Sequence, residues 1–331
     1  MSAQRSPGAS PSPVVDRGAG PHGSRTARVR IGVDVGGTKA EAVAIDDSGA
    51  IVARARRPTE RGARGVLATV RDAVARIAAD PAVGAVAAVG IGIPGQIAAG
   101  RVRNAVNLDL LDLDLGGELE RSLGVPVHVD NDVNAAALGA HALRAVDGPM
   151  AYLNLGTGIA AGIVVDGRVW GGSGGTAGEV GHVPIDPHGP ECPCGQRGCI
   201  ETLAGGAAVA RRWGRGGELP VRDVFDAADA GDPQALALRT DLARGVAAAV
   251  RVLALTVDPS VVVIGGGVAR LGGRVLDVAR AELRDSAARS AFLTSLRLPE
   301  RIELLPPAAA AGALGAALAA EVVLEGAPAH G

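Results

Sequence analysis

Two stretches of the chain open with the same succession of apolar runs and turns. Val29–Val35 is a short apolar run ending in Gly36-Gly37-Thr38-Lys39, and the strand-like segments Ala40–Ile45 and Ile51–Arg56 follow. Met150–Leu155 likewise runs into Gly156-Thr157-Gly158, then Ile159–Val165 and, after Asp166-Gly167, Arg168–Trp170. Each reads as strand, tight glycine turn, strand, turn, strand. Helical periodicity then covers Gly65–Ala79 in the first stretch and Pro233–Thr256 in the second. The apolar runs Ala85–Ile93 and Ser260–Ile264 read as buried strands. The pattern predicts a duplicated α/β fold: two domains, each a β-meander followed by alternating helices and strands, with an interdomain cleft.

Asp147-Gly148-Pro149 breaks a helix between the copies, so the expected domains are 29–147 and 148–307. The last helix, about Ala308–Leu324, is expected to pack back onto the first. Residues 1–28 are rich in Ser, Pro, Gly and Arg and are expected to form a disordered tail. They contain no apolar h-region of a secretory signal.

Composition narrows the function classes. With 331 residues there is enough chain for two medium domains. A net charge of −2 without a basic block gives no reason to expect nucleic acid or an anionic membrane as a partner. No apolar run reaches the roughly 18–20 residues that span a bilayer. The three cysteines crowd between Cys192 and Cys199, an odd number unsuited to a disulfide framework, and a cytoplasmic location is expected. Lys39 is the single lysine, and it falls inside a glycine turn. Codon bias explains the abundance of arginine but not that placement, so Lys39 is a candidate phosphate contact.

Three glycine turns are candidates for a nucleotide. In Asp34-Val35-Gly36-Gly37-Thr38-Lys39, glycine lets backbone N–H groups approach phosphate oxygens, while Thr38 and Lys39 add a hydroxyl and a cation. Asp34 suits Mg²⁺ held through water. Gly156-Thr157-Gly158 can act from the opposite wall. Gly265-Gly266-Gly267 follows a buried strand and precedes a helix expected near Val268, where adenosine or phosphate would meet a helix start. Any one of these alone is as well read as an ordinary turn in a chain with 49 glycines. Three at matching places in a duplicated fold are not. No Walker A pattern is present, and no GxGxxG follows the first strand.

The strand Val125–Val129 leads into Asp130-Asn131-Asp132-Val133-Asn134 and the helix Ala135–Arg144. A carboxylate at a strand end suits a general base for a hydroxyl nucleophile, since phosphoryl transfer asks mainly for positioning, a base and charge neutralisation. Asp132 is the candidate base, with Asn131 on a sugar and Asp130 as competitor. Taken singly, either aspartate is more simply an N-cap. Downstream, His182, Cys192, Cys194 and Cys199 form H-x9-C-x-C-x4-C inside a glycine-rich insert, 171–205. Three thiolates and an imidazole make a closed structural Zn²⁺ site. Glu179 and Glu201 flank the ligands, and the metal would fix both toward the cleft. His182 can hold zinc through one ring nitrogen and a sugar hydroxyl through the other.

Together these motifs resemble the ROK family (repressors, open reading frames, kinases), and within it the bacterial glucokinases. The resemblance spans about Val29 to Leu324. It rests on the Asp34–Lys39 turn, Gly92-Ile93-Pro94-Gly95, Asn131-Asp132, Leu155–Gly158, Glu179-Val180-Gly181-His182 and Cys192-Pro193-Cys194-Gly195-Gln196-Arg197-Gly198-Cys199-Ile200-Glu201. It implies a ribonuclease-H-like, actin-like ATPase fold, usually dimeric or tetrameric, and ATP- and Mg²⁺-dependent phosphorylation of a hexose, glucose first. It implies Asp132 as base, zinc on the four residues named, and sugar contacts from Asn107, Asn131, Glu179, His182 and Glu201. Where the family has a tryptophan shortly after Asn107-Leu108, this chain has Asp109-Leu110-Leu111. N-acetylmannosamine, N-acetylglucosamine, fructose and allose stay open as substrates, and polyphosphate as donor. The rival of another class is a sugar-responsive regulator, which would need a helix-turn-helix of roughly 60 residues ahead of the first strand.

Overall fold

The structure is a computed structural model that describes residues 28–306 and 308–324. All but the last residue of the expected N-terminal tail lies outside the described residues.

In the first half, β1 (Arg28–Val35), β2 (Lys39–Ile45), β3 (Ile51–Pro58), β4 (Ala85–Ile93) and β8 (Val127–Asn131) form one sheet in the order β3-β2-β1-β4-β8. In the second, β9 (Met150–Leu155), β10 (Ile159–Val165), β11 (Arg168–Val169), β12 (Val261–Gly265) and β13 (Ile302–Leu304) form another in the order β11-β10-β9-β12-β13. The hairpin pairs are antiparallel in both sheets, and the two outer additions are parallel in both. One topology therefore occurs twice. Parallel strands need covered faces, and here helices supply them: α1 (Gly62–Ala78) and α2 (Leu115–Leu123) in the first half, α4 (Ile200–Ala204), α5 (Gly206–Trp213), α6 (Pro220–Asp229), α7 (Pro233–Thr256), α8 (Gly273–Ala287) and α9 (Ala291–Ser295) in the second. With aromatics at 2%, the cores are built from Val, Ile, Leu and Ala, such as Ile31, Val33 and Ile91 in one and Leu153, Val246 and Ile264 in the other.

A small third sheet, β5 (Gln96–Ala98), β6 (Arg101–Ala105) and β7 (Leu110–Asp114), was not expected from the sequence. It hangs between β4 and α2 and carries Asn107 at one hairpin end.

α3 (Asp132–Arg144) and α10 (Ala311–Ala319) lie against each other, and α10 also packs on β1 and β4 of the first half. The expected terminal helix is divided at Ala320, with α11 (Glu321–Leu324) following. α10 consists of Ala, Gly and Leu alone, and it sits at backbone contact. A Cβ at Gly90 would lie 1.7 Å from the Ala316 carbonyl oxygen, and one at Gly315 would lie 1.7 Å from that of Ala135. Only hydrogen fits at these crossings. α3 also meets the second sheet, since a Cβ at Gly162 would lie 2.5 Å from Ala137 Cβ. No helix among the described residues is long and apolar enough to cross a membrane.

Candidate active site

β8 ends at Asn131, and α3 begins at Asp132 rather than at Ala135. The cap is neither aspartate. Asn131 Oδ1 accepts the Val133 N–H at 2.8 Å, and Asn131 Nδ2 donates to the Gly95 carbonyl at 3.2 Å. Such a cap stabilises a helix by about 1 kcal/mol. Asn131 is thus committed to the backbone at both ends and has only its second N–H and lone pair for a ligand. Asp130 Oδ1 accepts from Asn131 N and Asn134 Nδ2, at 2.6 and 3.0 Å. Asp130 braces the turn.

Asp132 is half-buried, and its Oδ1 accepts the Val133 N–H at 3.0 Å. Burial pushes its pKa up to about 6, with Asp130 and Glu179 adding to the rise and backbone N–H groups opposing it. Across Gly92 stands Asp34. A Cβ at Gly92 would be 3.5 Å from Asp132 Cα and 4.0 Å from Asp34 Oδ1. Burial first, then the charges of Asp132 and Glu41, push Asp34 up to about 7, with Lys39 pulling it back. Asp34 also lies under the start of α10, where a Cβ at Gly312 would meet its Oδ2 at 2.5 Å. Tyr152, on β9, is likewise raised by burial and by the charges of Asp34 and Asp132.

The first turn closes through Gly36 N–H to the Lys39 carbonyl at 3.0 Å. Asn107 lies against it: a Cβ at Gly37 would be 3.5 Å from the Asn107 carbonyl oxygen. Thr38 and Lys39 are exposed. In the second turn, α5 takes the carbonyls, with Gly206 N–H bonding Gly156 O and Ala207 N–H bonding Thr157 O, both at 2.9 Å. Glu201 Oε2 accepts the Ile159 N–H at 2.9 Å. Among the described residues, the N–H groups of Thr157 and Gly158 have no backbone partner, which leaves donors for an anion. Glu201, expected on the sugar, thus bonds the backbone at the end of the second glycine turn.

The third turn passes beside the second. A Cβ at Gly266 would lie 2.5 Å from Asn154 Oδ1, and one at Gly156 would lie 3.2 Å from Asn154 Nδ2. Gly267 is followed by only a 3-10 turn, Val268–Leu271, and the α-helix begins at Gly273. The expected helix start near Val268 is therefore corrected: Gly272, at φ +64°, interrupts the helical path. Asn154 and Tyr152 were not singled out in the sequence. The signal was available for Asn154, which stands two residues before Gly156 as Asp34 stands two before Gly36.

The insert brings four ligand atoms, from His182, Cys192, Cys194 and Cys199, within 4.8 Å of one another. Cys194 Sγ and Cys199 Sγ are 3.7 Å apart, as are Cys192 Sγ and His182 Nδ1. Sulfurs around tetrahedral zinc at about 2.3 Å stand about 3.8 Å from each other, so the donor set fits. Burial raises the Cys192 and Cys199 thiols, the latter to about 12, whereas the backbone N–H and side-chain amide of Gln196 push Cys194 down to about 6. With Nδ1 facing the sulfurs, Nε2 lies 4.0 Å from Glu179 Oε2. His182 Nε2 and Glu179 thus share one side of the insert, and Glu179 is near enough to Asp132 to raise it. A cavity of about 540 Å³ lies behind the insert, beside Asp186, Arg197, Arg212 and Asp241, and none of the expected site residues lines it.

Comparison with known proteins adds the family. The chain is 36% identical over 271 residues to a glucokinase of Halalkalibacterium halodurans, covering 74% of this chain and 82% of that one. It is 34% identical over 296 residues to an N-acetylmannosamine kinase of Citrobacter koseri, covering 88% and 98%. The crystal structure of a ROK family glucokinase from Streptomyces griseus, in complex with glucose and AMPPNP, superposes with a TM-score of 0.72 at 31% identity, covering 88% and 99%. The doubled sheet topology is accordingly that of the actin-like ATPase fold. Residues 30–322 match the model of the ROK family, and the chain belongs to that family.

Proposed function

We propose that this chain transfers the γ-phosphoryl group of ATP to a hexose hydroxyl, and that glucose, giving glucose 6-phosphate, is the first substrate to test. The observation that carries the reading is Asp132: a half-buried carboxylate, raised to about 6, beside Asp34 and facing Glu179. A base tuned near working pH can take a hydroxyl proton as the oxygen attacks phosphorus. The N–H groups of Thr157 and Gly158, which have no backbone partner among the described residues, with the Gly37 turn and Lys39, would receive phosphate oxygens as charge spreads. Mg²⁺, when bound beside Asp34, would neutralise phosphate charge. Gly265-Gly266-Gly267 would lie against the adenosine.

On the sugar side we assign Asn107, Glu179 and His182 Nε2, with the remaining capacity of Asn131 and Glu201. Zinc on His182, Cys192, Cys194 and Cys199 would fix the imidazole tautomer that presents Nε2 outward. The two jaws of the cleft are, in this reading, 29–147 joined by 308–324, and 148–307 with its insert. Assembly as a dimer or tetramer and a cytoplasmic location belong to the same reading.

Glucokinase and N-acetylmannosamine kinase relatives stand at nearly equal identity, so N-acetylmannosamine is the second substrate. A panel of hexoses and 2-acetamido hexoses with MgATP, read by ADP release, tests the proposal. Turnover with glucose supports it, turnover with N-acetylmannosamine alone shifts the substrate, and no turnover with any sugar refutes it.

A further inference from the structure

Asn154 is a polar side chain to which the transfer reaction gives no role. It is the last residue but one of β9, and it pairs with Gly265 on β12 and Ala160 on β10. Asp34 holds the matching place in the first half, last but one in β1, paired with Gly92 on β4 and Glu41 on β2. The duplication therefore puts a carboxylate on one wall and an uncharged carboxamide of the same shape on the other.

The surroundings of Asn154 give that position a purpose. Its Oδ1 lies where a Cβ at Gly266 would be 2.5 Å away, and its Nδ2 where a Cβ at Gly156 would be 3.2 Å away. The carboxamide is wedged between the second and third glycine turns. The second turn is anchored from behind by α5 and Glu201, and the third passes Asn154 with Gly266 at φ +94°. Asn154 is the side chain that stands against both turns among the nearest neighbours of Gly156 and Gly266.

We infer that Asn154 is a positioning residue for the nucleotide: it sets the spacing between the turn that receives phosphates and the turn that receives adenosine. Its neutrality keeps a second carboxylate away from the polyphosphate charge. Alanine would leave the spacing unsupported. Aspartate, nearly isosteric, would keep the packing, lose the Nδ2 donor and add repulsion on the phosphate wall. This inference rests on the kinase reading of the cleft.

The test is calorimetric titration of the full chain with MgADP and separately with glucose, alongside steady-state kinetics, for wild type, Asn154→Ala and Asn154→Asp. Asn154→Asp is expected to weaken MgADP by about tenfold or more and Asn154→Ala by about fivefold. The KM for ATP should rise in step, while kcat and glucose affinity stay within about threefold. A residue that merely packs would lower stability in both variants without separating the loss of MgADP affinity from that of glucose affinity. MgADP binding to Asn154→Asp within twofold of wild type, or an equal loss of glucose affinity, overturns the role. If wild type itself bound no MgADP, the kinase reading would fall as well, so the two failures are distinct.

Discussion

Asp34 and Asp132 flank Gly92, and each carboxyl is raised well above the ordinary range, to about 7 and about 6. They come from opposite ends of the first half's sequence and meet because β4 lies between β1 and β8 in the sheet. Gly92 is the residue of β4 that pairs with Asp34 on one side and Asp130 on the other. Two half-buried acids brought this close to each other favour a cation beside one and a proton acceptor's work for the other.

That placement costs stability. Folding favours the neutral form of Asp34, so its stabilising contribution is complete below about pH 4 and is lost as pH rises through about 7. Asp34 is half-buried, and water screens part of the effect, so about 1 kcal/mol is a fair size for it. Asp34→Asn should therefore raise the melting temperature at pH 8 without Mg²⁺ by about 2–4 °C while abolishing turnover. A lower melting temperature for Asp34→Asn at pH 8 would contradict the burial argument.

Zinc should be present at one ion per chain, read by metal analysis of purified protein. Cys199→Ser should lose it, lower the melting temperature and raise the KM for glucose more than that for ATP, because His182 and Glu179 lie on the insert. Equal effects on both substrates would detach the metal from the sugar side.

Glu201 accepts the Ile159 N–H beside the second glycine turn. Glu201→Ala leaves that N–H without its acceptor and frees the turn, so the KM for ATP should rise by about tenfold along with that for glucose. Glu201→Gln keeps an acceptor oxygen and should retain more of the ATP affinity. A glucose-only defect in Glu201→Ala would make it a sugar ligand alone.

Gly90 and α10 test the join between the chain's end and the first half. A Cβ at Gly90 would lie 1.7 Å from the Ala316 carbonyl oxygen, a backbone atom that cannot swing aside. Gly90→Ala should destabilise by about 1–3 kcal/mol or more, seen in denaturant unfolding. Unchanged stability would mean that α10 does not sit on β4.

Much of the fold was legible in the pattern. The doubled strand–turn–strand opening and the limits of β4, β9, β10 and α7 follow from apolar runs bounded by glycine, proline and charge. The small sheet was not, because strands such as Arg101–Ala105 are short, polar and mostly exposed. α3 starts earlier than its apolar period because Asn131 caps it from the strand end. The site was legible where chemistry forced residue type, as in the cysteine cluster and the glycine turns. It was illegible where a side chain serves another part of the protein: Glu201 on Ile159, Asn131 on Gly95. Sequence spacing carries no record of such contacts between distant segments.

In the proposed reaction Asp132 takes the proton of a sugar hydroxyl. Above about pH 6 it is ionised, so kcat/KM for glucose should fall about tenfold per unit as pH drops below that value. The most direct measurement is glucose-dependent ADP release by Asp132→Asn, with glucose binding measured on the same sample. A general base at Asp132 requires kcat lower by at least about 10² with glucose affinity largely intact. Near-normal turnover in Asp132→Asn would contradict it.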